Sequence, residues 1–334
     1  MASVKNDKEN IFKKAQIKEE MAKESLFNLK MDKVNASKKY KAVVMTPPSH
    51  QIKEQTLSNY GVELAENGFI ALAFDYNSKG ESESYHPNVR NDDNVPRKWE
   101  DLRNAISFLC SKAYVDEVFS LGICAGGNIA SSVLITDLRV KALASVSAMM
   151  ATDMMMFPPT DKNADTFWAM ITAANASRQK MFELLNKDGA DDKGEIEPDT
   201  MTLFGYDDPD YVKNNPNASV GQLEGFDYYG TARGGPAKYP RFTNDVVASL
   251  YETASLNLGE QYADKLLQPY MGIVGAKAET AFATKMFYDK VTSEGKEYHE
   301  IEGASHVDLY DKDVYIDKAV EKIVSFFNKH SSQQ

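Results

Sequence analysis

The chain has 334 residues, 43% hydrophobic and 26% charged, with a formal net charge of −11. That length suits one globular core plus a sizeable insertion. The acidic balance, with no basic stripe interleaved with aromatics, speaks against nucleic acid or an anionic membrane surface as partner. Only two cysteines occur, Cys110 and Cys124, too few for a disulfide framework, so a reducing, cytoplasmic setting is expected. Met1–Ser25 is rich in Lys and Glu and lacks an apolar signal region. Residues 1–25 read as a charged arm without chemistry. No apolar run reaches the roughly 18–20 residues needed to cross a bilayer.

From residue 41 strands and helices alternate. Lys41–Pro47 is a continuous apolar run, the pattern of a parallel strand buried on both faces. Lys53–Asn67 has helical spacing and stops at Gly68. Phe69–Asp75 is a second buried strand, followed by a polar loop that Pro96 closes and a helix over Arg97–Lys112. Val118–Ile123 is a strand, Ala125–Ile135 a helix and Val140–Ser147 a strand. The rhythm then breaks. Residues 151–262 carry helical stretches around Asp165–Asn186 and Val246–Tyr262, separated by a Gly/Pro/Asn/Tyr-rich stretch, Ala190–Pro240. The alternation resumes with a strand at Pro269–Gly275, a helix over Glu279–Ser293, a strand at Lys296–Ile301 and a helix over Val314–Lys329. Repeated βα units imply an α/β fold with a mostly parallel sheet flanked by helices. Its core is expected in 26–150 and 263–334, with 151–262 a mainly helical cap.

Gly122-Ile123-Cys124-Ala125-Gly126 lies where a strand hands over to a helix. This is the nucleophile-elbow pattern G-x-S-x-G with Cys in place of Ser. The sharp turn lifts the nucleophile above the sheet, and side chains two residues either side would clash, hence glycine. The helix N-terminus and a nearby imidazole are expected to favour a thiolate. In such a fold an acid and then a histidine follow the nucleophile in the chain. Of the five histidines, His306 sits in the loop after the last strand, where the base is required. Glu279, in the loop after Pro269–Gly275, is the expected acid, with Asp153 as rival. One oxyanion N–H falls to Ala125. The other must come from Pro47-Pro48-Ser49-His50-Gln51, where the prolines carry none, so Ser49 is chosen. His50 is a candidate substrate contact or a solvated loop residue. Met149, Met150, Met154, Met155 and Met156 either shape an acyl pocket or pack the cap. Tyr228, Tyr229 and Arg233 either line that pocket or fold the cap.

These residues together resemble the α/β-hydrolases, and within them the dienelactone-hydrolase-like, polyketide-transferase-like (YcjY-like) branch. The resemblance covers about residues 40–330. It rests on Ile52-Lys53-Glu54-Gln55-Thr56, Leu72-Ala73-Phe74-Asp75-Tyr76, Gly80-Glu81-Ser82 and the stretch Leu121 to Gly127. Asp227-Tyr228-Tyr229 with Arg233-Gly234, Ala278-Glu279-Thr280, and Glu302-Gly303-Ala304-Ser305-His306-Val307-Asp308-Leu309-Tyr310 continue it. The branch usually has a glycine-rich turn after His-Pro where this chain has Pro47-Pro48-Ser49-His50-Gln51, a departure that narrows the approach to Cys124 and suggests a specialised substrate.

The function implied is hydrolysis of an activated carboxylic ester, lactone or thioester by Cys124, Glu279 and His306 through a thioester acyl-enzyme. Two alternatives stand beside it: an acyltransferase moving an acyl or polyketide chain to an alcohol or amine, and a non-catalytic ligand-binding homologue. A small-molecule acyl substrate is the expected partner, no metal or other cofactor is expected, and self-association as a homodimer stays open.

Overall fold

The computed structural model describes residues 38–85, 89–150, 164–187, 198–203, 212, 214–216, 218–254 and 256–332. The arm of residues 1–25, Asp153, Met154, Met155 and Met156 lie outside them. Among the described residues the strands are β1 (Tyr40–Thr46), β2 (Ile70–Ala73), β3 (Val115–Ile123), β4 (Val140–Val146), β5 (Thr200–Thr202), β6 (Asp245–Val247), β7 (Tyr270–Gly275) and β8 (Glu297–Ile301). The α-helices are α1 (Thr56–Glu66), α2 (Val95–Cys110), α3 (Ala125–Leu134), α4 (Ala164–Leu185), α5 (Val220–Tyr229), α6 (Tyr251–Ala254), α7 (Leu258–Gln261), α8 (Ala281–Lys290), α9 (Asp308–Asp311) and α10 (Asp313–Lys329).

Six strands form one parallel sheet in the order β2-β1-β3-β4-β7-β8. Ala42, Val43, Val44 and Met45 of β1 are fully buried, as a strand covered on both faces must be. Leu57, Tyr60 and Leu64 of α1 share one core with Ile316, Val320, Ile323, Phe326 and Phe327 of α10. These α10 positions recur at spacings of three and four, one stripe of a helix. On the opposite face, Leu102, Ile106 and Leu109 of α2 meet Ile129 and Val133 of α3 and Phe287 of α8.

Local signals explain several boundaries. The chain leaves α1 through Gly68 at φ +88°, a left-handed turn that favours glycine. Pro96 sits in the first turn of α2, where a missing N–H costs nothing, and the Asn94 side chain caps that helix by accepting from the Arg97 N–H. The helix therefore begins before Pro96 instead of after it.

The segment between β4 and β7 departs furthest from expectation. α4 falls where it was expected, but Val246–Tyr262 is not one helix. It comprises the end of β6, a 3₁₀ turn at Ala248–Leu250, and the short helices α6 and α7. β5 and β6 pair antiparallel as a separate two-stranded sheet. The Gly/Pro-rich stretch contains α5, whose N-terminus carries a capping box: the Ser219 hydroxyl accepts from the Gln222 N–H, and the Gln222 side chain accepts from the Ser219 N–H. No described helix is long and apolar enough to cross a membrane.

Candidate active site

The chain runs from β1 to its neighbour β2 on one side and returns with β3 on the other. The crevice outside the carboxyl ends of β1 and β3 is thus a switch point of the sheet, where open α/β sheets place their sites. Thr46 pairs with Gly122 across this junction. Cys124 follows β3 and precedes the first turn of α3, with φ +53° and ψ −122°. A non-glycine residue in that region costs on the order of 1–3 kcal/mol and persists only where its surroundings impose it. The Cys124 N–H donates to Val146 O at 2.9 Å, and its carbonyl accepts from the Gly127 and Met149 N–H groups at 3.0 Å each.

The two glycines are sterically required. A Cβ on Gly122 would lie 2.6 Å from the Gly127 Cα, and one on Gly126 would lie 2.2 Å from Thr46 O. Gly126→Ala is expected to push the loop after β1 away from the sulfur. Unfolding in urea should register a loss of about 1–3 kcal/mol, and any chemistry of Cys124 that needs that loop should slow.

The loop after β1 presses its own amide toward the Cys124 sulfur. The backbone N–H groups of Ala125 and Ser49 and the Tyr310 hydroxyl all favour negative charge on the Cys124 sulfur. Burial opposes them and prevails, holding the thiol above its usual range. The resting group is therefore a thiol. The thiolate expected from the sequence is not favoured at rest, because burial outweighs the Tyr310 hydroxyl and the two amides.

His306 follows β8 through a tight turn in which Gly303 adopts φ +80°. Its Nε2 lies 2.8 Å from the Tyr310 hydroxyl, further along the chain. Its Nδ1 is hydrogen-bonded to the Thr280 hydroxyl. Burial lowers the imidazole to about 4, so it is neutral over the physiological range. Glu279, the expected orienting acid, turns the other way: its carboxylate accepts the Gly221 N–H of α5 at 2.8 Å. Thr280, its neighbour, takes the place on the ring.

The backbone of the histidine loop is held from both sides. Glu224 of α5 accepts the His306 N–H at 3.1 Å, and the Ser147 hydroxyl donates to His306 O at 3.1 Å.

Beneath the loop after β1 lies a buried charge cluster. Lys98 Nζ donates to Ser49 O at 2.8 Å and pairs with Asp93 at 2.7 Å, while the Ser49 hydroxyl donates to Asp93 at 3.0 Å. Lys79 Nζ stands 3.5 Å from the same carboxylate. Burial lowers the Lys79 ammonium to about 8. His50 is likewise buried. Its Nε2 meets the Asn244 Oδ1 at 3.2 Å and its ring packs on Tyr229 and Phe242 at 4.9 and 5.2 Å. Burial first, then Lys79, lowers it to about 3, a neutral packed ring instead of a solvated loop residue.

The remaining candidates divide. Tyr229 belongs to the site: its hydroxyl accepts from Gln51 Nε2 at 3.1 Å and it interacts with Cys124 and Tyr310. Tyr228 stands one layer behind, edge-on to Tyr229 and Tyr310 at 4.9 and 5.1 Å. Arg233 is a clamp. Its guanidinium donates to Asp311, Asp308 and Asp227 and to Val307 O, tying the chain after α5 to α9. Met149 is half-buried beside the elbow, its N–H on the Cys124 carbonyl. Sequence reasoning missed Thr280, Tyr310, Gln51 and Lys98. None of them stood out by a local pattern: His306 lies in the turn before α9, so its spacing from Tyr310 is not a helical one.

No protein-family model matches the chain. It is 29% identical over 307 residues to the uncharacterized protein YcjY of Escherichia coli K12, covering 89% of this chain and 91% of that one. It is 27% identical over 296 residues to the uncharacterized protein PA2218 of Pseudomonas aeruginosa, covering 86% of this chain and 72% of the relative. The crystal structure of PA2218 matches with a TM-score of 0.72 over 90% of this chain and 87% of the other, at 24% identity. The α/β hydrolase GrgF from Penicillium sp. sh18 matches with a TM-score of 0.65 at 19% identity, over 88% of this chain and 91% of the other. The parallel sheet with helices on both faces, the cysteine elbow at its switch point and these likenesses agree, and the chain adopts the α/β-hydrolase fold.

Proposed function

We propose that the chain is an acyl-transferring hydrolase in which Cys124 attacks an activated carboxylic ester, lactone or thioester. The observation that carries the reading is the sulfur itself, held in a strained elbow and faced by two backbone amides, with a neutral imidazole one hydroxyl away. The Cys124 sulfur forms a bond to the carbonyl carbon, and its proton ends on His306. The carbonyl oxygen becomes an oxyanion facing the amides of Ala125 and Ser49. As the intermediate collapses, the carbon–oxygen or carbon–sulfur bond to the leaving group breaks, and the leaving group takes the proton from His306. Water then attacks the thioester with His306 as base. The carbon–sulfur bond to Cys124 breaks, the acyl group leaves as the carboxylic acid, and His306 returns a proton to the sulfur. The sulfur is a better leaving group than an amide nitrogen, so peptide bonds are poor substrates and activated acyl groups good ones.

An acceptor alcohol or amine in place of water makes the same machinery an acyltransferase. The enclosure of Cys124 by Tyr229 and Tyr310 favours that variant where an acceptor binds, since it limits bulk water at the thioester. The reading is tested with a p-nitrophenyl ester and an acyl N-acetylcysteamine thioester, quenched in acid and followed by peptide mass. An acyl adduct on Cys124, absent from Cys110 and lost in Cys124→Ala together with product release, supports it. Undiminished turnover in Cys124→Ala overturns it. Product analysis with added alcohols and amines separates hydrolysis from transfer.

A further inference from the structure

The geometry points to Tyr310 as a further catalytic residue, its hydroxyl carrying the Cys124 proton to His306; this rests on the reading of Cys124 as nucleophile. In the usual arrangement the imidazole Nε2 meets the nucleophile directly. Here both ring nitrogens are engaged elsewhere: Nδ1 with the Thr280 hydroxyl and Nε2 with the Tyr310 hydroxyl at 2.8 Å. The same Tyr310 hydroxyl interacts with the Cys124 sulfur. The phenol, packed in the same cluster as Cys124 and 2.8 Å from Nε2, is placed to take the thiol proton and pass its own to the ring.

The relay is rigidly placed. Tyr310 is 1% exposed. Its carbonyl accepts from Asn59 Nδ2 at 2.8 Å, and the preceding Leu309 carbonyl accepts from the Tyr60 hydroxyl at 2.9 Å, pinning α9 to α1. Arg233 grips Asp311 on the other side of Tyr310. Burial, followed by the proximity of Cys124 and Tyr229, keeps the phenol far from ionising on its own. Tyr310 thus works as a neutral shuttle. As the sulfur forms its new bond, its proton passes to the Tyr310 oxygen, and the Tyr310 proton passes to His306 Nε2. The phenol ends as it began, and the imidazolium holds the proton for the leaving group. The Thr280 hydroxyl accepts from Nδ1–H and fixes the tautomer in which Nε2 is free to receive.

The test needs no natural substrate, which separates it from the test of the acyl chemistry. In a Cys110→Ser background, the alkylation of Cys124 by iodoacetamide is followed across pH. A sulfur–carbon bond forms, iodide leaves, and the proton must go to the relay. Tyr310→Phe is expected to slow alkylation at pH 7 by at least about tenfold. Its rate should then climb steeply with pH, as for an unassisted buried thiol. His306→Ala should give the same profile, and the double variant should be no slower than either. A Tyr310→Phe protein that alkylates as fast as the parent with the same pH profile overturns the proposal, and a faster one identifies the ring as a plug. If Tyr310→Phe does not fold, 3-fluorotyrosine at position 310 keeps the shape and lowers the phenol pKa. A changed alkylation rate on the pH-independent plateau supports the relay, and a plateau rate equal to the parent's overturns it. A Tyr310-dependent thiol that forms no acyl adduct leaves the relay standing and removes the acyl chemistry.

Discussion

His306→Ala is expected to slow acylation of Cys124 at pH 7 by about two to four orders of magnitude, the range that a positioned general base supplies. The size of the loss follows from the protonation states of the resting site. Burial holds the Cys124 thiol above its ordinary range and holds the imidazole at about 4, so at neutral pH both are uncharged. With the thiol held above its ordinary range, little thiolate is at hand to sustain the reaction once the base is gone. The sign of the pH dependence is fixed by the same two groups. Below about pH 4 the His306 ring is protonated and accepts nothing, so the parent rate falls on that side. From there to the alkaline range it should be nearly flat. In His306→Ala the flat region disappears, and the rate rises with pH toward thiol ionisation. A bell centred on neutral pH in the parent protein would instead indicate a thiolate–imidazolium pair and would contradict the uncharged resting state of Cys124 and His306.

The second large effect is on stability. Asp93→Asn removes the one carboxylate that Lys98 and Lys79 share, at 2.7 and 3.5 Å, and all three side chains are buried. Breaking a buried ion cluster by deleting one partner leaves uncompensated charge and costs about 3–5 kcal/mol. Burial alone would raise the Asp93 carboxyl; Lys98 and Lys79 overcome it and hold the group at about 2. Its folded value lies below its unfolded one, near 3.8, so its contribution is present above the latter and is lost as pH falls through about 2. Urea unfolding at pH 7 should therefore show the full loss in Asp93→Asn. Pairing it with Lys79→Met should recover part of it, because one of the two orphaned charges is then gone. A change below about 1 kcal/mol in the single variant would mean that the cluster is solvated or already neutral.

The parts of the site that could be read from sequence are those where backbone geometry demands a residue type. Gly122 and Gly126 are such positions, since any Cβ there meets main chain. The buried strands were legible because a strand covered on both faces must be apolar throughout, as β1 is. What stayed hidden is what depends on the local path of a loop. The loop after β7 was recognisable, yet whether Glu279 or Thr280 meets the imidazole depends on the path of that loop, and Thr280 is the one that does. Glu279 instead reaches Gly221, a contact between residues 58 positions apart that no local pattern announces. α5 escaped because glycines interrupt its apolar spacing, although the Ser219–Gln222 capping box was there to be seen. Val246–Tyr262 misled in the opposite sense. Its periodicity is helical, but Asn257 caps a new helix at α7 and divides the stretch.

Described residues between β4 and β7 hold the loops around Cys124 and His306 in place. Glu224 holds the His306 backbone, Asn244 holds His50, Tyr229 meets Gln51, and Arg233 fixes the turn that bears Tyr310. On the proposed reading of Cys124, selectivity and reactivity are therefore not separable modules. Grafting the corresponding segment from a relative would exchange the supports of both the loop after β1 and the histidine loop, so on that reading new substrates are more readily reached by changes within the resident segment than by replacing it.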